Sequence, residues 1–86
     1  MSLIQRQDAL VATLEPIYFA RISSGRPGMC CQSSGQRSKA KRLHAEELMA
    51  AGYNRDEAWK SANDCDQVAH VNADHAVFMA QMGATV

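Results

Sequence analysis

The sequence predicts an all-α protein, a small bundle of three to four helices that forms a single domain over residues 1–86. Two observations predict it. Apolar residues recur at helical spacing in the segments before and after residues 23–36. A glycine, Gly52, separates two helical segments in the second half, where it is the expected helix stop. The length of 86 residues suffices for one domain with a thin core.

The first helix is indicated by its start signal. Ser2 with Gln5 three positions later matches a capping box. Several apolar residues then fall on one side of a helical wheel: Leu3, Leu10, Val11, Leu14 and Ile17. Pro16 interrupts this pattern. We therefore expect the helix either to end near Leu14 or to kink and restart with Pro16 in its first turn.

The region after Pro16 has two interpretations. Residues 17–22 continue as helix, or they form a strand that pairs with residues 29–33 as a short β-hairpin around 17–33. Residues 23–36 hold three glycines, one proline and four serines. This composition is typical of a loop, and it predicts a flexible, Gly/Ser-rich basic loop over 23–36.

The second half predicts an antiparallel helix hairpin. A helix over Arg37–Ala51 would place four apolar residues on one face: Ala40, Leu43, Leu48 and Ala51. Gly52 ends this helix, and Asn54 caps the next one, with Glu57 positioned to reach back to the cap. The second helix is expected over Asn54–Val71.

Small side chains follow one stripe of that second helix, namely Ala58, Ala62, Cys65 and Ala69. Such a stripe lets another helix approach closely, and the preceding helix is the expected neighbour. Asn72 either caps a further helix that extends to Met82 or lies within one continuous helix. Four apolar residues near the end point in several directions, which predicts that this segment is buried or forms an interface: Val77, Phe78, Met79 and Met82.

Residues 48–58 (Leu-Met-Ala-Ala-Gly-Tyr-Asn-Arg-Asp-Glu-Ala) and 72–77 (Asn-Ala-Asp-His-Ala-Val) resemble the loop and third helix of ubiquitin-associated (UBA-like) three-helix domains. The resemblance covers only the second half of the chain. It departs from the family where Ala51 stands in place of the usual methionine before the glycine. The middle helix would also be longer, by about one turn. The resemblance implies a three-helix domain, and no binding residue is carried over from it.

Charge is distributed unevenly although the net charge is zero. Residues 21–42 carry +6 with no acidic residue, and residues 43–66 carry −4. The basic residues are candidates for holding phosphates of a nucleic acid: Arg21, Arg26, Arg37, Lys39, Lys41 and Arg42. The alternative is a solvated segment that balances the acidic helices, and it is favoured because no aromatic residues are interleaved to stack on bases.

A second candidate site lies on one stripe of the helix after Gly52. Trp59, Asp66 and His70 align there, and a tryptophan among polar residues is typical of a protein-binding surface. The alternative, which is favoured because a lone tryptophan in a small domain is usually buried, is that Trp59 completes the core. The favoured function is a small non-enzymatic interaction module, a regulator or inhibitor that binds a protein partner. The alternative function is a nucleic-acid-associated protein that uses residues 21–42.

The sequence predicts no enzyme, cofactor or metal site. It has no Walker, nucleophile-elbow or dinucleotide motif, and its Cys and His spacings do not fit zinc ligands. Three cysteines, an odd number, favour a reduced, cytoplasmic protein. No apolar run approaches the roughly 20 residues of a membrane span, so no membrane contact is expected. The oligomeric state is left open.

Overall fold

The computed structural model describes residues 2–23 and 31–84, which form three helices. These are α1 (Leu3–Ser23), α2 (Cys31–Ala50) and α3 (Arg55–Ala84). No strand occurs among the described residues. The predicted all-α helical bundle is thereby confirmed, with three helices.

The predicted β-hairpin around 17–33 is wrong. Residues 17–22 lie within α1, and residues 31–33 lie within α2. Helix α1 continues through Pro16, which is exposed. A proline removes one helical hydrogen bond, but packing that spans it can offset this loss. Leu14 and Tyr18, on either side of Pro16, are both buried, so tertiary packing holds the helix together there.

The predicted loop over 23–36 is wrong at both ends. Ser23 is the last residue of α1, and residues 31–36 form the first turns of α2. The remaining residues, 24–30, lie outside the described part of the chain. Ser33, Ser34 and Gly35 have low helix propensity, but propensity favours a loop only weakly, and all three residues lie within α2.

The starts of α1 and α3 follow the predicted capping chemistry. The Ser2 backbone N–H donates to Gln5 Oε1 at 2.9 Å, and the Gln5 N–H donates to Ser2 Oγ at 3.2 Å. Both halves of the capping box are therefore present. At α3, the Glu57 N–H donates to Asn54 Oδ1 at 2.8 Å, while the Glu57 carboxylate accepts from the Asn54 side-chain amide at 2.7 Å.

The turn between α2 and α3 is a Schellman motif. The Tyr53 N–H donates to the Leu48 carbonyl at 3.0 Å, and the Gly52 N–H donates to the Met49 carbonyl at 3.1 Å. Gly52 has a φ of 108°, a left-handed conformation that favours glycine. The predicted stop at Gly52 and the hairpin of α2 and α3 agree with this geometry.

The three helices alternate in direction. Arg6 pairs with Glu47 at 3.1 Å, near the start of α1 and the end of α2. Gln7 contacts Ser61, and Glu15 contacts Asn72, so α1 and α3 run in the same direction. Helix α2 is therefore antiparallel to both of the others.

The main core lies between α1 and α3. Its buried residues are Leu10, Leu14, Tyr18, Ala62, Cys65, Ala69 and Ala73. Large side chains of α1 thus pack on the small stripe of α3. The expectation that this stripe would pack mainly on the preceding helix is wrong, because α2 turns Arg37, Lys41 and His44 inward and contributes fewer apolar side chains.

A second, smaller cluster joins α2 to the beginning of α3 through Ala45, Leu48 and Ala58. The predicted apolar face of α2 is only partly right. Leu48 is buried, but Leu43 is 46% exposed, and its neighbour His44 is buried instead. The inward face of α2 therefore contains the polar residue His44, which the spacing of the apolar residues did not predict.

Helix α3 runs without interruption through Asn72 to Ala84. The separate final helix, and with it the third helix of the UBA-like resemblance, is therefore absent among the described residues. Ala69, Ala73 and Val77 continue the buried face at helical spacing. This continuity explains why the helix does not break at Asn72.

Candidate functional site

The structure places Trp59 at the junction of the two apolar clusters. It is half-buried and packs against both of them. Of the two interpretations of Trp59, this geometry corresponds to the core residue. Because the Trp59 ring packs against both clusters, its solvent-exposed area is smaller than that of a fully exposed tryptophan on a binding surface.

Asp66 lies in a polar cluster where all three helices meet. Its Oδ1 accepts a hydrogen bond from the Tyr18 hydroxyl at 2.8 Å. Arg37 Nη1 lies 3.6 Å from Oδ1, and Lys41 Nζ lies 3.7 Å from Oδ2. The Asp66 side chain is only 18% exposed. The Asp66 carboxylate therefore forms ion pairs with Arg37 and Lys41 of α2, within this chain.

Tyr18 is held from several sides in the same cluster. The Arg37 guanidinium donates to its hydroxyl and also lies over its ring, 4.9 Å from the centroid. Burial and the hydrogen bond to Asp66 raise the pKa of the Tyr18 hydroxyl. The hydroxyl therefore stays protonated and keeps donating to Asp66. Tyr18 is not among the site residues expected from the sequence, and its signal there is its spacing of four residues from Leu14.

The structure divides the predicted basic patch. Arg37 and Lys41 face Asp66, whereas Lys39 lies on the other side of α2 and is exposed. Arg42 pairs with Glu46 at 3.9 Å on the surface. The other two basic residues of the predicted patch are Arg21, in the last turn of α1, and Arg26, which lies outside the described residues. Two of the six cations would have to leave Asp66 to contact a phosphate.

His70 lies beside Tyr18 at the edge of this cluster. The two ring centroids are 4.7 Å apart, and His70 Nε2 lies 3.9 Å from Asp74 Oδ2. The His70 side chain is 46% exposed. Trp59, Asp66 and His70 are therefore on one side of α3, as predicted, but they differ in exposure and do not form one open surface.

A second polar contact joins one residue from each helix. Ser61 Oγ accepts from the Gln7 amide at 3.0 Å and lies 3.0 Å from His44 Nε2. His44 is 5% exposed, and burial lowers its pKa, which favours the neutral ring. This contact is not evident from the sequence because its three residues are far apart in the chain. It fixes the register of the three helices.

The outer face of α3 carries an exposed apolar stripe, which is the most extended candidate binding surface. Its members are Val68 (49% exposed), Val71 (58%), Phe78 (56%), Met79 (54%) and Met82 (53%). At 100° per residue, Val71, Phe78 and Met82 lie on the side of α3 opposite the core, and Val68 and Met79 lie on one flank of the helix. Phe78, Met79 and Met82 belong to the segment for which the sequence left burial and interface open. Their exposure excludes burial within this chain.

An apolar groove adjoins this stripe between α3 and α1. It has a volume of about 440 Å³ and is lined by Ala12, Glu15, Pro16, Phe19, Asn72, Ala73 and Ala76. Phe19 is 40% exposed there. Asn72 also lines the shallow depression beside Val68 and Val71. The stripe and the groove are thus parts of one surface.

This surface lacks positive charge. No lysine or arginine occurs from residue 61 to residue 84, whereas Asp64 and Asp74 are both exposed on this helix. A surface of this kind does not attract phosphates. It suits an apolar partner.

Metal ligands do not converge among residues 2–23 and 31–84, where no group of three or more His, Cys, Asp or Glu side chains is close enough to hold an ion. Cys65 is buried, and burial raises the pKa of its thiol. In the same ranges, no helix combines the length and the apolar character needed to cross a membrane.

No family model matches the chain, and neither a curated protein nor a solved structure matches it significantly.

Proposed function

We propose that this protein is a small non-enzymatic interaction module, a regulator or inhibitor that acts by binding a protein partner. The observation that carries the proposal is the exposed stripe of Val68, Val71, Phe78, Met79 and Met82 on α3. The binding surface is therefore this outer face, in place of the Trp59, Asp66 and His70 surface expected from the sequence.

The physical argument rests on the two faces of α3. Its inner face is filled by α1 and α2, so the outer apolar side chains have no role in the core of the bundle. An exposed apolar stripe of several hundred Å² is comparable to the largest apolar patch of a small protein, which is often functional. Methionine and phenylalanine are also enriched in the centres of protein interfaces.

The alternative, a nucleic-acid-associated protein, receives less support from the geometry. Arg37 and Lys41 are engaged by Asp66, and Arg42 is close to Glu46. Nucleic-acid binding that weakens steeply with added salt would favour this alternative. Binding to the outer face of α3 should change little with salt.

Photo-crosslinking in the cells that make this protein tests the proposal. Phe78 is replaced by a phenylalanine analogue that carries a photoreactive group on the ring, so the side chain stays aromatic. We expect a covalent protein adduct after irradiation, because Phe78 lies within the proposed surface.

Ile4 provides the matched control for this experiment. It is 69% exposed on α1 and lies outside the stripe. The same analogue at Ile4 should give little or no adduct. An absence of adducts from Phe78, or equal adducts from both positions, would contradict the proposal.

A further inference from the structure

We infer that the partner of the outer α3 face is a second copy of this chain, which packs its own α3 against it in the antiparallel direction. This inference rests on the proposed function, because it names the partner of the same surface. The resulting dimer would be symmetric, with the same stripe contributed by both copies.

The spacing of the stripe matches helix-on-helix packing. Four stripe residues (Val68, Val71, Phe78 and Met82) and the exposed polar His75 between them follow one another at intervals of 3, 4, 3 and 4 residues, and Met79 lies beside this row. These are the a and d positions of a heptad pattern, which lets side chains of two helices interdigitate. A surface with this pattern is complementary to another copy of itself. No other sequence is needed to fill it.

The available area reaches the lower limit for a dimer interface when both stripes are fully covered. The solvent-accessible area of the five apolar stripe residues is roughly 500 Å² on each copy. This area follows from the exposed fractions above and the sizes of the side chains. Pairing two stripes would bury on the order of 1,000 Å² in total, about the minimum for a stable interface. Flanking residues and the groove beside Phe19 add to this area.

Charge favours the antiparallel direction. A parallel pair would place Asp64 beside Asp64, and His75 beside His75, at equivalent positions of the seam. An antiparallel pair centred on Ala73 separates the two Asp64 carboxylates to opposite ends. It places Val68 beside Phe78 of the second copy, which makes one wholly apolar pair in each half of the seam. Val71 faces His75 of the second copy, and Asp64 faces its Met82 at each end of the seam.

A membrane surface is a poorer occupant of this face. Helices that lie on membranes combine an apolar stripe with lysine or arginine beside it. Residues 61–84 contain neither, and their acidic residues would be repelled by anionic lipids. The five stripe residues carry no charge, and an apolar helix face matches them better than an anionic lipid surface does.

Sedimentation analysis of the full chain over a range of concentrations tests the inference. We expect the wild type to dimerise and its melting temperature to rise with protein concentration. Two double variants at the same sites then test the face and the direction. V68E/F78E places like charges together in the antiparallel pair and should weaken dimerisation at least about tenfold. V68K/F78E places opposite charges together and should retain the dimer better.

Because both substituted positions are about half exposed, the monomer should keep its fold, which circular dichroism checks. The single variant I4E, on α1, should dimerise like the wild type. A wild-type chain that stays monomeric up to about 100 µM would overturn the inference, as would a dimer unaffected by V68E/F78E. Binding to phosphatidylserine vesicles without dimerisation would do the same.

Further results test the antiparallel direction and the proposed function independently of whether a dimer forms. If V68K/F78E is as weakened as V68E/F78E, the antiparallel direction is overturned. If the wild type is monomeric but Phe78 still crosslinks to a different protein, the second copy is wrong while the proposed function stands. If neither dimer nor adduct forms, both are wrong.

Discussion

Single polar residues decide how the three helices fit together. Gln7, His44 and Ser61 supply one side chain from each helix to a shared contact, and His44 is almost fully buried within it. A buried polar group is costly unless it is hydrogen-bonded. Shifting one helix relative to the others would break this contact, so these residues specify one arrangement.

We expect the buried His44 to make stability depend on pH. Burial holds its pKa below the ordinary value of about 6.5, so below that pH the unfolded chain binds more protons than the folded one. The free energy of unfolding should therefore fall as the pH decreases from about 7 to about 5. Urea unfolding across this range measures the effect.

His44→Gln is the informative variant for this prediction, because a glutamine amide can still donate to Ser61 but does not titrate. Its stability should vary less with pH over the same range. Leu43→Gln, at the neighbouring exposed position of α2, is the control and should retain the wild-type dependence. Equal pH dependence in His44→Gln and the wild type would contradict the assignment to His44.

At the scale of the helices, ends are set by local chemistry and continuity by packing. Capping interactions begin α1 and α3, and a Schellman motif ends α2. Pro16 and Asn72 are possible end points by local chemistry, yet both lie within helices. The buried residues on either side of them account for this difference.

Gly52→Val should destabilise the turn between α2 and α3. Gly52 has a φ of 108°, and an added Cβ would meet no atom within 4 Å. The cost is therefore backbone strain and not a steric clash with neighbours. We expect a loss of about 1 kcal/mol or more in the free energy of unfolding, measured by urea denaturation.

Gly35→Ala is the matched control for the turn variant. Gly35 also has open space around it, but it lies inside α2. Alanine should stabilise the chain there by about 0.5–1 kcal/mol, because it restricts the unfolded state and favours a helix. An unchanged stability of Gly52→Val would show that valine relaxes the turn into another conformation.

At the scale of the whole molecule, two apolar clusters are joined by a single aromatic residue. One cluster lies between α1 and α3, the other between α2 and the start of α3, and Trp59 packs on both. The polar cluster around Asp66 adds charged contacts between α2 and the other helices. Loss of Trp59 would therefore weaken the attachment of α2 as well as the main core.

Trp59→Ala should lower the free energy of unfolding by about 2–3 kcal/mol, because a half-buried ring leaves a cavity between the clusters. Urea denaturation measures this loss, and the wild-type tryptophan fluorescence should be blue-shifted. Ile4→Ala, at a strongly exposed position, should cost less than about 0.5 kcal/mol. A Trp59→Ala variant as stable as the wild type would restore the exposed, partner-binding interpretation.

Local sequence patterns by themselves determined the helical class and several boundaries. Ser2 with Gln5, and Gly52 with Asn54, act on the backbone within a few residues, so their effect can be read without knowing the fold. The apolar spacing of Leu10 and Leu14 likewise identified the inner face of α1, because helical periodicity is a local property.

Only the tertiary structure decided which helices pack against each other. It thereby also decided which residues form the candidate binding surface. Arg37 and Lys41 looked like phosphate ligands in the sequence, yet Asp66, more than 20 residues away, engages both. The exposed side of α3 also became evident only when α1 and α2 were seen to fill the other side. Pairing between distant residues depends on the packing of whole helices, and local periodicity carries no information about the partner.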